Sequence, residues 1–392
     1  VSTQDKPVAA SVVEVEVETV QPTITFDKSS IPPEDRYYYA SQWELIWWRF
    51  SRHKVALFAA GMIILLYLGA LFADFVSPYS MDRRFEGFQA APPTRIHLIR
   101  PDGGIQLYVF GMERQLDQKT FKWTYIEDTS QIYPIKFFVR GDEYKWFGLV
   151  KTNVHLFGAE GAPIFLFGTD RLSRDLFTRT WFGARISLSI GLVGVFLSFV
   201  LGVILGGISG YFGGVVDDAI QRVIDFLLAI PGLPLWMTLS AALPRDWPTL
   251  KMYFAITIIL SILGWCGLAR VVRGKILQLR EEDYTLAALG AGASDWRIIT
   301  RHLLPGFTSH LIVSITFSIP AMILNETALS FIGLGIQPPA VSWGTLLQDA
   351  QNLTAVAQQA WLLIPALFVI GTVIMFNFVG DGLRDAADPY ER

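Results

Sequence analysis

Charge is what this sequence has least of. Only 17% of its 392 residues are charged while 52% are hydrophobic, a balance that excludes an ordinary soluble chain, where about 25% would be charged. Cysteine is nearly absent as well: Cys266 stands alone, so no intrachain disulfide can form, and inside its apolar run it reads as a small buried hydrophobe. The five histidines show no metal-ligand spacing. No serine occupies a Gly-x-Ser-x-Gly elbow. The phosphate-cradling pattern Gly-x-x-x-x-Gly-Lys-Ser/Thr is missing too, because Gly274-Lys275-Ile276 lacks both the upstream glycine and the hydroxyl. These absences argue against an enzyme, and neither a metal nor a nucleotide is expected as a cofactor of this chain.

What is present is a set of long apolar blocks. Val55 to Ala73 carries no charge and would extend roughly 28 Å at about 1.5 Å per helical residue, close to the hydrocarbon thickness of a bilayer. Five further blocks follow: Ile186 to Tyr211, Val215 to Leu243 (broken by Pro231 and Pro234), Met252 to Val272, Thr308 to Phe331, and Trp361 to Leu383. The expected fold is therefore an all-α membrane protein with six transmembrane helices and both termini in the cytoplasm. Basic residues agree with that count. Arg49, Arg52, His53 and Lys54 precede the first span, Arg270 to Arg301 is rich in Lys and Arg, and Ile332 to Ala360 has neither.

Residues 1–42, rich in Val, Thr, Pro and acidic residues and without a basic leader region, are expected to be a disordered cytoplasmic tail. Within 43–76 the aromatics Trp43, Trp47, Trp48 and Phe50 mix with charges, the signature of a short interfacial helix ahead of the first span. Residues 77–167 alternate in short segments (Ile105 to Phe110, Phe121 to Tyr125, Ile132 to Arg140) separated by the turn signals Pro101-Asp102-Gly103-Gly104 and Arg140-Gly141-Asp142. They predict a β-rich extracytoplasmic insert between the first and second helices. Residues 168–392 hold the other five spans. Gly191, Gly194, Gly202, Gly206, Gly207 and Gly210 fall in the second span, where small residues let helices approach closely.

The inward loop of about 273–305 reads as two short helices, Glu281 to Leu289 and Asp295 to Leu303, with Gly290-Ala291-Gly292 between them, Ser294 as cap and Pro305 as stop. Ala287, Ala288, Ala291 and Ala293 make its surface shallow, while Asp283, Asp295, Arg297 and Arg301 rim it. Leu286-Ala287-Ala288, Gly292 and His302-Leu303-Leu304-Pro305 resemble the EAA loop of binding-protein-dependent ABC importer permeases, with Leu286 where that pattern has glutamate. Further segments resemble the dipeptide, oligopeptide and nickel branch, and in particular its C-type subunit. These are Phe167-Gly168-Thr169-Asp170, Gly183-Ala184-Arg185, Gly210-Tyr211-Phe212-Gly213-Gly214, Ala328 to Gly335, Ser342-Trp343-Gly344 and Gly380-Asp381-Gly382.

The resemblance implies a subunit of a bacterial or archaeal plasma or inner membrane importer. Its partners would be a second, different permease, two ATP-binding subunits or domains that bind ATP and Mg, an extracytoplasmic solute-binding protein and membrane lipid, with no nucleic acid. It assigns ATPase coupling to Ala287, Ala288, Gly290, Gly292, Ala293, Ser294, Asp295, Arg297, Arg301 and Pro305. The implied cargo is oligopeptides or related oligomeric solutes, with oligosaccharides as the alternative.

Asn325 and Glu326 are polar intrusions in an apolar span, where a carboxylate at mid-membrane costs about 2.5–3.5 kcal/mol. With Pro231 they are candidates for the translocation path or a gate. For Glu326 a buried structural hydrogen-bonding role stands equally open. Asp217, Asp218, Arg222 and Asp225 read as a charge cluster at the membrane edge. Two readings of other classes remain: an ion-coupled secondary transporter or channel using Glu326, and a sensor in which the outer β-domain acts.

Overall fold

A computed structural model describes residues 41–100, 104–116, 118, 123–146, 148–244, 246–352 and 357–387. The tail expected over 1–42 lies almost wholly outside them. A short helix α1 (Gln42–Arg52) exposes Trp43, Trp47 and Trp48, as an interfacial helix would. Helix α2 (Lys54–Leu71) is built from Ala, Leu and Ile without proline and is capped by His53, whose Nδ1 accepts the Ala56 N–H at 3.1 Å. After the one-turn α3 (Ala73–Val76) the chain leaves the bundle and builds a sheet.

That sheet is antiparallel, in the order β1 (His97–Ile99), β2 (Ile105–Leu116), β3 (Trp123–Trp146), β4 (Val150–Ala159). Strand β3 is long enough to serve two hairpins: its first half pairs with β2, from Tyr108↔Pro134 to Leu116↔Trp123, and its second half with β4, from Ile135↔Ala159 to Trp146↔Val150. Two segments expected to be separate strands are thus parts of one, with Phe121 outside the described residues. Arg140-Gly141-Asp142 is not a turn but an irregularity inside β3, where the register with β4 shifts. Its polar groups are used across the fold: the Asp142 carboxylate accepts the Ser80 N–H (2.9 Å) and the Arg83 guanidinium (2.8 Å), and the Asp142 carbonyl lies 3.0 Å from His155 Nε2. Below the sheet, Tyr79, Phe85, Phe88 and Phe165 form an aromatic cluster with ring centroids 4.7–6.5 Å apart.

The remaining helices are α4 (Leu176–Phe212), α5 (Gly214–Ala229), α6 (Gly232–Ala241), α7 (Thr249–Leu279), α8 (Asp283–Gly290), α9 (Asp295–Arg297), α10 (Thr308–Phe331), α11 (Trp343–Gln348) and α12 (Ile364–Ala387). Helix α4 begins ten residues before the apolar run suggests. Asp175 caps it by accepting the Thr178 N–H at 2.8 Å, so the helix extends past the stretch that hydrophobicity alone marks.

Helices α5 and α6 meet at 84°, broken at the extended Ile230 and Pro231. Pro234, expected to break the segment too, sits in the first turn of α6, where a missing N–H costs nothing. Among the described residues five helices are long and apolar enough to cross a membrane, and the bent pair adds a sixth only if its two pieces act as one.

In a bilayer, helices associate through close van der Waals contact rather than water exclusion, and α4 shows how. A methyl group at Gly206 would run into the backbone of Ala269, and one at Gly210 into that of Arg273, so the glycine stripe lets α7 lie directly on α4. Gly191 and Gly194 make the same room for Ile323 and Met322 of α10. Around these contacts Leu188, Ile256, Leu260, Ile319, Ile323 and Trp343 form the central core. A second core gathers Val272, Ile276, Ile298, Ile299, Leu303, Phe307 and Leu311 at the end of the bundle where α8 and α9 sit.

Candidate coupling surface and membrane cavity

Between α7 and α10 the chain forms the anticipated helix pair, with three differences in detail. Helix α8 runs from Asp283 to Gly290 and closes on a left-handed residue, Gly292 (φ +79°). The Ala293 N–H reaches back to the Ala288 carbonyl (3.1 Å) and the Gly292 N–H to that of Leu289 (3.0 Å), the paired bonds of a Schellman cap.

The second helix starts at Asp295, but Ser294 makes no side-chain cap bond. Nor does Pro305 stop it. Residues Ile298–Leu303 widen into π-helical turns and Leu304–Phe307 tighten into a 3₁₀ turn that enters α10 directly. Proline cannot donate to the carbonyl one turn back and crowds it; a wider turn just before Pro305 accommodates both effects and keeps the helix running.

The pair has two distinct sides. Ile298, Ile299 and Leu303 are buried against α7 and the start of α10, with Ala288 and Ala293 partly buried beside them. The opposite side leaves Leu286 (53%) and Leu289 (55%) exposed, and Trp296 (66%) is exposed on the flank that faces α4, beside Ile299, with Ala287, Gly290, Asp295, Arg297, Arg301 and Pro305 also at the surface. Exposed large apolar groups within a rim of charge mark an interaction surface.

The pair is also tied sideways. Tyr211 Oη donates to Asp295 Oδ1 at 2.8 Å, and Arg280 donates to the Tyr211 carbonyl at 3.0 Å. Asp217 accepts from Ser209 Oγ and, at 2.6 Å, from Arg273 Nε, while Asp225 pairs with Arg270. Two of the four residues read as a membrane-edge cluster are therefore links from α5 to α7.

Within the bundle, α4, α6, α7 and α10 surround a cavity of about 330 Å³ that Ser198, Trp236, Gly264, Ser314, Ser318 and Asn325 help to line. Pro231 does not line it; the helix that Pro231 starts does, through Trp236. Sequence reasoning passed over Ser314 and Ser318. Their signal was the series Ser314, Ser318, Ala321, Asn325, a small and polar stripe at helical spacing along an apolar helix.

Glu326 stands apart from that cavity. It has no exposed surface, and its carboxylate accepts from Ser187 Oγ of α4 (2.9 Å) and Ser330 Oγ of α10 (2.7 Å). Each serine in turn accepts a backbone N–H, Ser187 from Trp343 (3.1 Å) and Ser330 from Ile336 (3.0 Å). One carboxylate thus holds two helices and the segment between α10 and α11, the arrangement of a structural hydrogen-bond hub.

Near the same end, Asp170 is buried with Arg174 (2.7 Å) and Arg179 (3.5 Å). Burial pushes the carboxyl of neighbouring Asp175 up to about 7, against the opposing pull of its bonds to Thr178. Among the described residues no cluster of three or more His, Cys, Asp or Glu is placed to hold a metal.

The family described as "Binding-protein-dependent transport system inner membrane component" matches residues 198–392, and "N-terminal TM domain of oligopeptide transport permease C" matches residues 41–93. The chain is 43% identical over 224 residues to the oligopeptide transport system permease protein OppC of Bacillus subtilis (strain 168), covering 57% of this chain and 71% of that one. It is likewise 43% identical over 225 residues to the dipeptide transport system permease protein DppC of the same organism, covering 57% and 68%. With the DppC of Lactococcus lactis subsp. cremoris (strain MG1363) it shares 33% identity over 355 residues, covering 88% and 89%.

Proposed function

Because this chain belongs to the family of binding-protein-dependent transport system inner membrane components, we propose that it forms half of the path through which an ATP-driven importer moves peptides, with a second permease forming the other half. Its six crossings are α2, α4, the bent α5–α6 pair, α7, α10 and α12. On this reading both termini and the α8–α9 pair lie in the cytoplasm and the β1–β4 insert outside. Ala287, Gly290, Gly292, Ser294, Asp295, Arg297, Arg301 and Pro305 belong to the surface on which an ATP-binding subunit docks, and Ala288 and Ala293, packed behind it, support that surface. ATP and Mg act in that subunit.

The observation that carries this reading is the exposed apolar side of the helix pair, whose other side is locked to α7 and α10. When two ATPase subunits close, force on Leu286, Leu289 and Trp296 reaches both helices through Ile298, Ile299 and Leu303. It reaches α4 through the Tyr211–Asp295 bond. Rigid-body tilting of packed helices is the available response. The cavity beside Asn325 lies among those helices, so their movement opens or closes it toward one face. A solute delivered by an extracytoplasmic binding protein then meets hydroxyl and amide groups suited to a peptide backbone.

Peptide cargo is supported by the relatives' names, among them the Lactococcus lactis dipeptide permease, whose alignment covers 88% of this chain. An ion-coupled carrier would need Glu326 on an open path, and Glu326 is enclosed. Deleting Gly290 to Arg297 tests the proposal: ATPase association is lost while membrane insertion is kept, and the purified chain hydrolyses no ATP. Retained association, or hydrolysis by the chain alone, contradicts it.

A further inference from the structure

The β3–β4 hairpin ends in a tight turn. Gly148 N–H bonds to the Lys145 carbonyl (3.2 Å) and Leu149 N–H to that of Trp146 (2.9 Å), with Gly148 left-handed at φ +73°. For the end of a polar outer domain, this tip is unusually apolar: Leu149 is 88% exposed, and Trp146 and Val150 are exposed beside it. It does not project into open solvent far from the bundle. The Trp146 ring sits 5.5 Å from that of Phe72, the residue that caps the C-terminal end of α2.

A second contact repeats the pattern, since Phe138 sits 6.2 Å from Phe75 of α3. Phe138 holds a left-handed backbone (φ +56°), a conformation that bulky residues rarely adopt, and its side chain remains exposed, as does that of Phe137. Lys145 and Lys151 face each other across the hairpin and are exposed without an acidic partner among the described residues.

We infer that this hairpin tip is a membrane anchor: Trp146, Leu149, Val150 and Phe138 enter the outer leaflet where α2 leaves it, and Lys145 and Lys151 meet lipid phosphates. The occupant is argued from continuity. The exposed residues Ile64, Leu65, Leu68 and Leu71 of α2 form a surface that lipid covers, and Phe72 and Trp146 extend it without a break onto the hairpin. Aromatic rings gather at the depth of the headgroups, and basic chains reach from there to phosphate. Anchored in this way, the insert has a fixed height and tilt above the bilayer.

The inference rests on α2 crossing the membrane, so its test includes a probe of that. In the complete transporter, reconstituted in phospholipid bilayers after Cys266→Ala, a fluorophore is attached at Leu149→Cys, at Glu160→Cys at the other end of β4, or at Ile64→Cys in α2. Lipids brominated near the headgroup should remove most of the emission at position 149 and little at 160. Lipids brominated deep in the chains should quench position 64. If position 64 is quenched but 149 behaves like 160, the anchor is disproved while the topology stands. If 149 is shielded until the partner permease or solute-binding protein is removed, a protein covers the tip and the inference fails. If position 64 is not quenched, anchor and topology fall together.

Discussion

Helix α10 carries polar groups on two sides, and the two sides do different things. Ser314, Ser318 and Asn325 follow one another at helical spacing and face the cavity shared with α4, α6 and α7. Glu326, one residue further on, turns into solid protein and is bound by two serines. A charge inside a membrane helix is usually taken to mark a transport path; here the more polar residue holds the bundle and the weaker ones line the space. The same contrast separates the ends of the molecule. On the α8–α9 side large apolar groups such as Leu286 and Leu289 are exposed, and at the opposite ends of α4 and α10 the polar groups of Asp170, Asp175 and Glu326 are enclosed.

The largest effects are expected on the exposed side of the α8–α9 pair. Leu289→Asp or Trp296→Asp puts a charge into the docking surface and should each weaken ATPase binding by about 2 kcal/mol or more, roughly 30-fold, in pull-down titrations. Insertion of the chain should be unchanged.

Next comes the enclosed carboxylate. Glu326→Ala leaves two serine hydroxyls without their acceptor and should destabilise the assembled complex by about 2–4 kcal/mol, read as a lowered unfolding midpoint in detergent. Glu326→Gln, which keeps shape and one acceptor oxygen, should lose less. A Glu326→Ala protein of normal stability that fails to transport would move Glu326 onto the path and erase the distinction.

The outer end also predicts a pH dependence. The Asp175 carboxyl releases its proton near pH 7 when folded and near 3.8 when free. Between those values the folded state keeps a proton that the unfolded state has lost, so stability falls as pH rises. The slope is at most about 1.4 kcal/mol per pH unit, and the loss is complete above pH 7. Asp175→Asn, which can still cap α4, should flatten the profile of unfolding midpoint between pH 5 and pH 8.

Smaller effects sharpen the picture. Gly292→Ala should cost about 1 kcal/mol because its backbone is left-handed. Asn325→Ala and Ser318→Ala should alter stability by no more than about 0.5 kcal/mol yet change the concentration of peptide at half-maximal uptake.

Much of this architecture is written in local sequence. The span Thr308 to Phe331 and the break at Pro231 are set by hydrophobicity and by proline's missing N–H, properties that each residue carries with it. Of the α4 glycines that their spacing marks for close packing, Gly206 and Gly210 meet the backbone of α7, and Gly191 and Gly194 meet side chains of α10. What escaped depends on partners distant in sequence. Arg140-Gly141-Asp142 has the composition of a turn but continues a strand because Ser80 and Arg83 engage Asp142. Pro305 looks like a helix stop, yet the turns before it widen and the chain runs on. The sequence likewise sets Asn325 and Glu326 side by side, while one residue of helical rotation, about 100° at 3.6 residues per turn, puts only Asn325 on the cavity wall.

If the proposed function holds, movement generated in the ATP-binding subunits enters this chain through α8 and α9. A photo-cross-linking amino acid at Leu289, activated in cells expressing the whole transporter, tests it directly. The account predicts a covalent adduct with an ATP-binding subunit and no labelling of that position by membrane-impermeant reagents added outside. An adduct with the extracytoplasmic solute-binding protein, or labelling from outside, would contradict it.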